Sequence, residues 1–176
     1  TEEDCTVSAA TCSAKAKCQY CRTEYGEPDA TKHNFVAATG ICTICSTQAQ
    51  AKVENIYYAT LDEAVDAWAD NTTLTLMDDV TIDHAGYIIM GNGLTLDLNG
   101  KTWLSTNKAG IPLDLSPHDA PDSTVRALLI TDSSAGGTGR IESESKYAIL
   151  ASAGHTILEK GTLVGGISVS AFTGIV

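Results

Sequence analysis

Six cysteines carry most of the reactive chemistry of this 176-residue chain: Cys5, Cys12, Cys18, Cys21, Cys42 and Cys45, with none in the 131 positions after Cys45. Two pairs share a two-residue gap, Cys18-Gln19-Tyr20-Cys21 and Cys42-Thr43-Ile44-Cys45, and twenty residues separate them. A turn of this length aims two thiolates at one point, and two such turns complete the tetrahedral shell that Zn²⁺ prefers. The expected site is therefore one Zn²⁺ held by Cys18, Cys21, Cys42 and Cys45. His33, between the pairs, can replace a thiolate, as can Cys5; Cys5 and Cys12 are otherwise left to bridge each other. Disulfides are the alternative, because six is an even number and an oxidising compartment would pair them in one of fifteen ways. A redox role for either Cys-x-x-Cys is not expected, since neither is set between a strand and a helix N-terminus.

The elements that position these residues are few. A head of about 50 residues buries too little apolar surface to fold unaided and needs a staple. The break in composition after Cys45 divides the chain into a Cys-rich head, 1–50, and a Thr/Leu/Gly-rich body, 51–176. Apolar residues make up 43% and charged residues 19%, a globular composition, and the net charge is −11. Nucleic acid and anionic membrane both need clustered Lys and Arg, so neither is an expected partner. No apolar run of about 18 residues is present to span a bilayer. The chain opens at Thr1 without Met or a signal peptide, as a processed product would.

The body repeats one phrase, an alternating β-prone run ending in a turn signal. It appears as Thr73-Leu74-Thr75-Leu76-Met77-Asp78-Asp79, as Leu94-Thr95-Leu96-Asp97-Leu98-Asn99-Gly100, and as Ala127-Leu128-Leu129-Ile130-Thr131-Asp132. Aligned, Leu76, Leu98 and Ile130 share a column, as do Asp78, Gly100 and Asp132. Degenerate copies of a strand-and-turn unit predict stacked coils. Thr60-Leu61-Asp62-Glu63 is a capping box, and Leu61, Ala64, Val65 and Trp68 then share a helical face, which predicts a helix over residues 60–70 lying across the first coil. The proline-bearing stretch 107–123 reads as a protruding loop. Asn92-Gly93 is a hairpin signal, the one feature favouring an antiparallel sandwich instead. Ile167, Val169, Phe172, Ile175 and Val176 read as the middle of another coil, so the natural protein is expected to continue.

Little else points to chemistry. Asp78, Asp79, Asp97 and Asp132 read as turn formers at strand ends. His84, His118 and His155 stand alone, without metal-type spacing. Gly136-Gly137-Thr138-Gly139 lacks the Lys and helix of a phosphate loop. Trp103, Tyr57 and Tyr58 are the aromatic residues placed to form a sugar platform.

Two resemblances extend this reading. The string Ala10-Thr11-Cys12, Ala14 to Cys21, Glu24-Tyr25-Gly26-Glu27 and His33-Asn34-Phe35 resembles Cys-rich repeats in large surface proteins of anaerobic Gram-positive bacteria, with Arg22 where those repeats usually have Gly. The phrases Leu96 to Thr102 and Ile130 to Gly139 resemble right-handed parallel β-helix domains of the pectin-lyase-like kind. That likeness implies a mainly β solenoid with an N-terminal capping helix, behind a small zinc-ribbon-like module. Enzymes of that superfamily use clustered Asp for Ca²⁺ or acid–base work beside Arg or Lys, and Arg126 and Arg140 have no such cluster in register. The expected function is thus a secreted or cell-surface, non-catalytic module for adhesion or carbohydrate contact, with carbohydrate or a host or cell-surface protein as partner. The alternative is the front part of a polysaccharide lyase or glycoside hydrolase whose catalytic coils lie beyond Val176.

Overall fold

The structure, a computed structural model, describes residues 8–89, 91–115, 126–151 and 154–169. The readings placed on Cys5, Pro117, His118, Pro121 and the segment after Val169 lie outside these residues, as does the His155 side chain. The chain divides into two compact units, Thr1–Ala49 and Gln50–Val176.

The first unit is built from turns. Among its described residues one ribbon pairs β1 (Ala16–Lys17) antiparallel with β2 (Glu24–Tyr25), matching Lys17 to Glu24 across the Cys18–Cys21 turn. Isolated antiparallel bridges, Phe35 to Cys42 and Ile41 to Gln48, frame the Cys42–Cys45 turn. Only Cys18, Cys42 and Ala49 are buried apolar residues among those described in this unit.

The second unit starts with an antiparallel hairpin, β3 (Ala51–Val53) and β4 (Ile56–Tyr58). Helix α1 (Leu61–Asp66) follows, and Thr60 and Glu63 form the reciprocal capping box that their spacing predicts. The remaining strands are β5 (Thr73–Leu76), β6 (Val80–Ile82), β7 (Tyr87–Ile88), β8 (Leu94–Asp97), β9 (Thr102–Ser105), β10 (Leu113–Asp114), β11 (Arg126–Thr131), β12 (Arg140–Ala151), β13 (Gly154–Leu158) and β14 (Thr162–Val169). They sort into two six-stranded sheets. One runs β13-β11-β8-β5-β3-β4; the other runs β6-β9-β12-β10-β7, with β14 also on β12.

This arrangement corrects the expected fold. The strands lie in separate open sheets, some parallel and some antiparallel, and no sheet among the described residues closes or winds into a solenoid. The right-handed parallel β-helix with a capping helix is therefore not the architecture. The repeated phrase does pair in parallel, but the copies are unevenly spaced. Leu74 pairs with Leu96, and Leu96 rather than Leu98 pairs with Ile130. The second offset is thus two residues longer than the sequence alignment implies. A slip of two preserves the inward face, so apolar alternation alone cannot detect it.

Three smaller expectations also change. The helix is six residues long and ends at Ala67, so Trp68 lies beyond it. Asn92-Gly93 makes no hairpin, because β7 and β8 enter different sheets. Part of the expected loop is strand: Leu113 belongs to β10, and both Leu113 and Leu115 are fully buried.

Inward residues of both sheets form one core. Leu74, Leu76, Leu96 and Ile130 come from one sheet, and Val80, Trp103 and Ile141 from the other. Strand alternation explains it, since β5, β8 and β9 each bury every second residue. Trp68 sits at the margin of this core, 8% exposed, with its Nε1 donating to the Thr72 carbonyl at 3.1 Å. Trp68→Ala should destabilise the second unit by about 3–5 kcal/mol, from lost burial and a lost hydrogen bond. Denaturant unfolding followed by circular dichroism checks this, and an unchanged midpoint would remove Trp68 from the core.

Candidate metal centre

Cys12, His33, Cys42 and Cys45 converge: one ligand atom from each lies within 4.8 Å of all the others. The Cys42–Cys45 turn provides the rigid half. Cys42 N–H donates to the Thr47 carbonyl at 2.9 Å, Ser46 N–H donates back to the Cys42 carbonyl at 2.9 Å, and Ser46 stands at φ 62°. This tight return points both sulfurs to the same side, which is why the two-residue gap suits a metal. Cys42 is buried to 1% exposure, while Cys12, His33 and Cys45 are half-buried. His33 is steadied by stacking on Phe35, with ring centroids 5.1 Å apart.

The distances fit four-coordinate ligation. Two sulfurs about 2.3 Å from a tetrahedral ion lie about 3.8 Å apart, and a sulfur and an imidazole nitrogen about 3.6 Å. Cys12 Sγ to Cys42 Sγ is 3.8 Å, and Cys45 Sγ to His33 Nδ1 is 3.3 Å. No disulfide forms among the described cysteines, so none of the four ligands is spent in one.

Protonation tells the same story. Burial opposes ionisation of Cys42, but N–H groups of Cys45, Ile44 and Asn34, with the His33 ring, outweigh it and hold the thiol at about 5. The Thr47 hydroxyl and N–H draw Cys45 downward as well. Cys12 moves the other way, to about 12, through burial and the neighbouring Cys45 and Cys42 sulfurs. Burial disfavours the His33 cation, yet Cys42 and Cys45 raise its pKa overall. Three sulfurs this close cannot all carry charge unaided; a divalent cation among them removes the conflict and takes all three as thiolates.

The cluster differs from the set expected from spacing. Cys42 and Cys45 are in it. Cys18 and Cys21 belong to the other turn, and Cys12 and His33 stand in their place. His33 was visible as a possible substitute between the turns; nothing in the spacing marked Cys12.

The other candidates have structural roles. Asp132 is fully buried and accepts backbone N–H bonds from Gly100 at 2.8 Å, Ser134 at 3.0 Å and Gly139 at 2.5 Å. A Cβ on Gly139 would meet Leu98 at 2.5 Å and Asp132 Oδ2 at 2.8 Å, so that close approach requires glycine. Asp97 accepts from Asn99 and Ser133, and Asp79 from Thr102. Each carboxylate binds a neighbouring strand's turn as well as, or instead of, its own, which is more than a local Asx-turn supplies. His84 Nδ1 accepts from Gly86 N–H, and its Nε2 makes a long 3.5 Å contact with Asp62, which also accepts from the Tyr87 hydroxyl at 2.8 Å. That group ties α1 to β7, and sequence reading missed it because 25 positions separate Asp62 from Tyr87. Trp103 is fully buried, and Tyr58 packs on the core, so neither forms a sugar platform.

Two tests follow from these geometries. Cys42→Ser should lower bound divalent metal by one ion per chain by elemental analysis, whereas His33→Cys, which keeps a four-ligand set, should retain it. Unchanged metal content in Cys42→Ser would exclude the site. For Asp132, burial raises the pKa, but the Ser134 hydroxyl and the Gly139, Ser134 and Gly100 N–H groups carry it below its ordinary 3.8. A depressed carboxyl stabilises above its unfolded value, about 3.9, and that contribution is lost as pH falls through the lower folded value. Asp132→Ala should cost about 3 kcal/mol near neutrality by stranding buried N–H groups, and the loss relative to wild type should shrink below about pH 4. A pH-independent difference would show that the carboxylate charge is immaterial.

No protein-family model, curated protein or solved structure matches this chain.

Proposed function

We propose that this chain is a non-catalytic interaction module of a secreted or cell-surface protein, clasped in its first unit by Zn²⁺. The observation that carries it is the convergence of Cys12, His33, Cys42 and Cys45. Four protein ligands fill a tetrahedral shell and leave no position for substrate or activated water, which marks a structural rather than a catalytic ion. Soft thiolates with one imidazole favour Zn²⁺ over Ca²⁺ or Mg²⁺, which take oxygen ligands. Ligation also withdraws the thiolates from oxidative pairing, so the set can persist outside a reducing compartment.

The second unit supports binding rather than turnover. Its buried carboxylate, Asp132, is committed to three backbone N–H groups and is closed off from any substrate. General acid–base catalysis needs an accessible, positioned pair. A groove of about 460 Å³ lies between α1 and β7, lined in part by Asp66, Trp68, Tyr87 and Ile88. Aromatic and aliphatic surface beside a carboxylate suits contact with carbohydrate or with a protein surface. No helix among the described residues is long and apolar enough to cross a membrane.

Incubation of zinc-loaded chain with pectin, alginate and hyaluronan tests the reading. The expected outcome is no release of unsaturated or reducing ends, with retention on an immobilised polysaccharide or on a cell-surface protein fraction. Release of such ends would replace it with a polysaccharide-cleaving enzyme.

A further inference from the structure

The first unit contains the same turn twice. Lys17 pairs with Glu24 across the Cys18–Cys21 turn, and Ile41 pairs with Gln48 across the Cys42–Cys45 turn, each partner 24 positions on. Cys18 N–H donates to the Thr23 carbonyl at 2.9 Å, as Cys42 N–H does to Thr47 at 2.9 Å. Arg22 N–H returns to the Cys18 carbonyl at 3.0 Å, as Ser46 N–H does to Cys42 at 2.9 Å. Arg22 and Ser46 hold the same left-handed conformation, φ 60° and φ 62°. The second sulfur of each turn meets the hydroxyl two residues on, Cys21 to Thr23 at 3.2 Å and Cys45 to Thr47 at 3.1 Å. The first cysteine of each is buried to 1% exposure.

A left-handed, non-glycine residue is uncommon and costs energy unless the surroundings demand it. Two of them, at equivalent positions of two equivalent thiol pairs, indicate one device used twice. In the second copy that device delivers two of the four ligands of the Cys12/His33/Cys42/Cys45 centre. Cys18 and Cys21 are not among those four. That centre takes three of the chain's six cysteines, leaving Cys18, Cys21 and, in the sequence, Cys5.

We propose that the Cys18–Cys21 turn is the thiolate half of a second, separate site for a soft divalent ion of the Zn²⁺ class. The proposal rests on reading the first centre as a metal site. A second thiolate pair in the same pose has the same chemistry to offer. Two ions would clasp both halves of a unit that has almost no apolar core of its own.

The test is metal stoichiometry of the full chain, reconstituted with Zn²⁺ under reducing conditions and dialysed. Two ions per chain are expected, falling to one in C18S/C21S and to one in C42S/C45S. A wild-type value of one, unchanged in C18S/C21S and lost in C42S/C45S, would overturn the second site and leave the first standing. No bound ion would overturn both, and two ions retained in C18S/C21S would overturn the second site alone. Titration of the wild type with Co²⁺ avoids dependence on a variant's folding. The sulfur-to-cobalt absorption should keep growing to two equivalents, and saturation at one would reject the proposal.

Discussion

The first unit depends on ligand convergence because it has little else. Fewer than 50 residues cannot hide enough apolar surface to offset the entropy of ordering them, and three small buried side chains make up its described apolar interior. Two of those three are Cys18 and Cys42, so even the burial that exists is centred on sulfur. Surface ion pairs such as Lys15–Glu27 at 2.8 Å and Lys17–Glu24 at 3.3 Å lie in water and contribute little. What remains is the cost of bringing Cys12, His33, Cys42 and Cys45 together, and a shared cation is the ordinary way to offset it.

The second unit solves the same problem differently. Its two sheets present alternating Leu, Ile and Trp side chains to a common core, and hydrophobic burial dominates. Its polar difficulty lies at the strand ends, where chain reversal leaves N–H groups without ladder partners. Asp79, Asp97 and Asp132 fill that need, each accepting from a turn distant in sequence. An acidic residue consumed this way is a structural strut.

The thiol turn of the first unit occurs twice. One conformation, with a left-handed residue closing a Cys-x-x-Cys loop, occurs with Arg22 in one copy and Ser46 in the other. Their side chains differ while the backbone is the same, so the duplicated feature is the pose of the sulfurs. The groove beside α1 in the second unit is built from unrelated residues and shares none of this sulfur chemistry.

What the sequence by itself determined is what depends on neighbours along the chain. Thr60 and Glu63 cap α1 because both halves of that exchange lie within one turn of helix. Alternation placed Leu74, Leu76, Leu94 and Leu96 in the core because a strand can point only every second residue inward. The two-residue gap made each Cys pair a local unit for the same reason. Only the tertiary structure decided how those units combine. It chose Cys12 and His33 over Cys18 and Cys21 as partners for Cys42 and Cys45, since which turns meet depends on chain path rather than spacing. It sorted repeated strands into two open sheets rather than one winding coil, and shifted β11 by two residues against β8, a change to which a period of two is blind. It drew Asp132 into the interior, because the N–H groups that recruit it belong partly to a strand end 32 positions away.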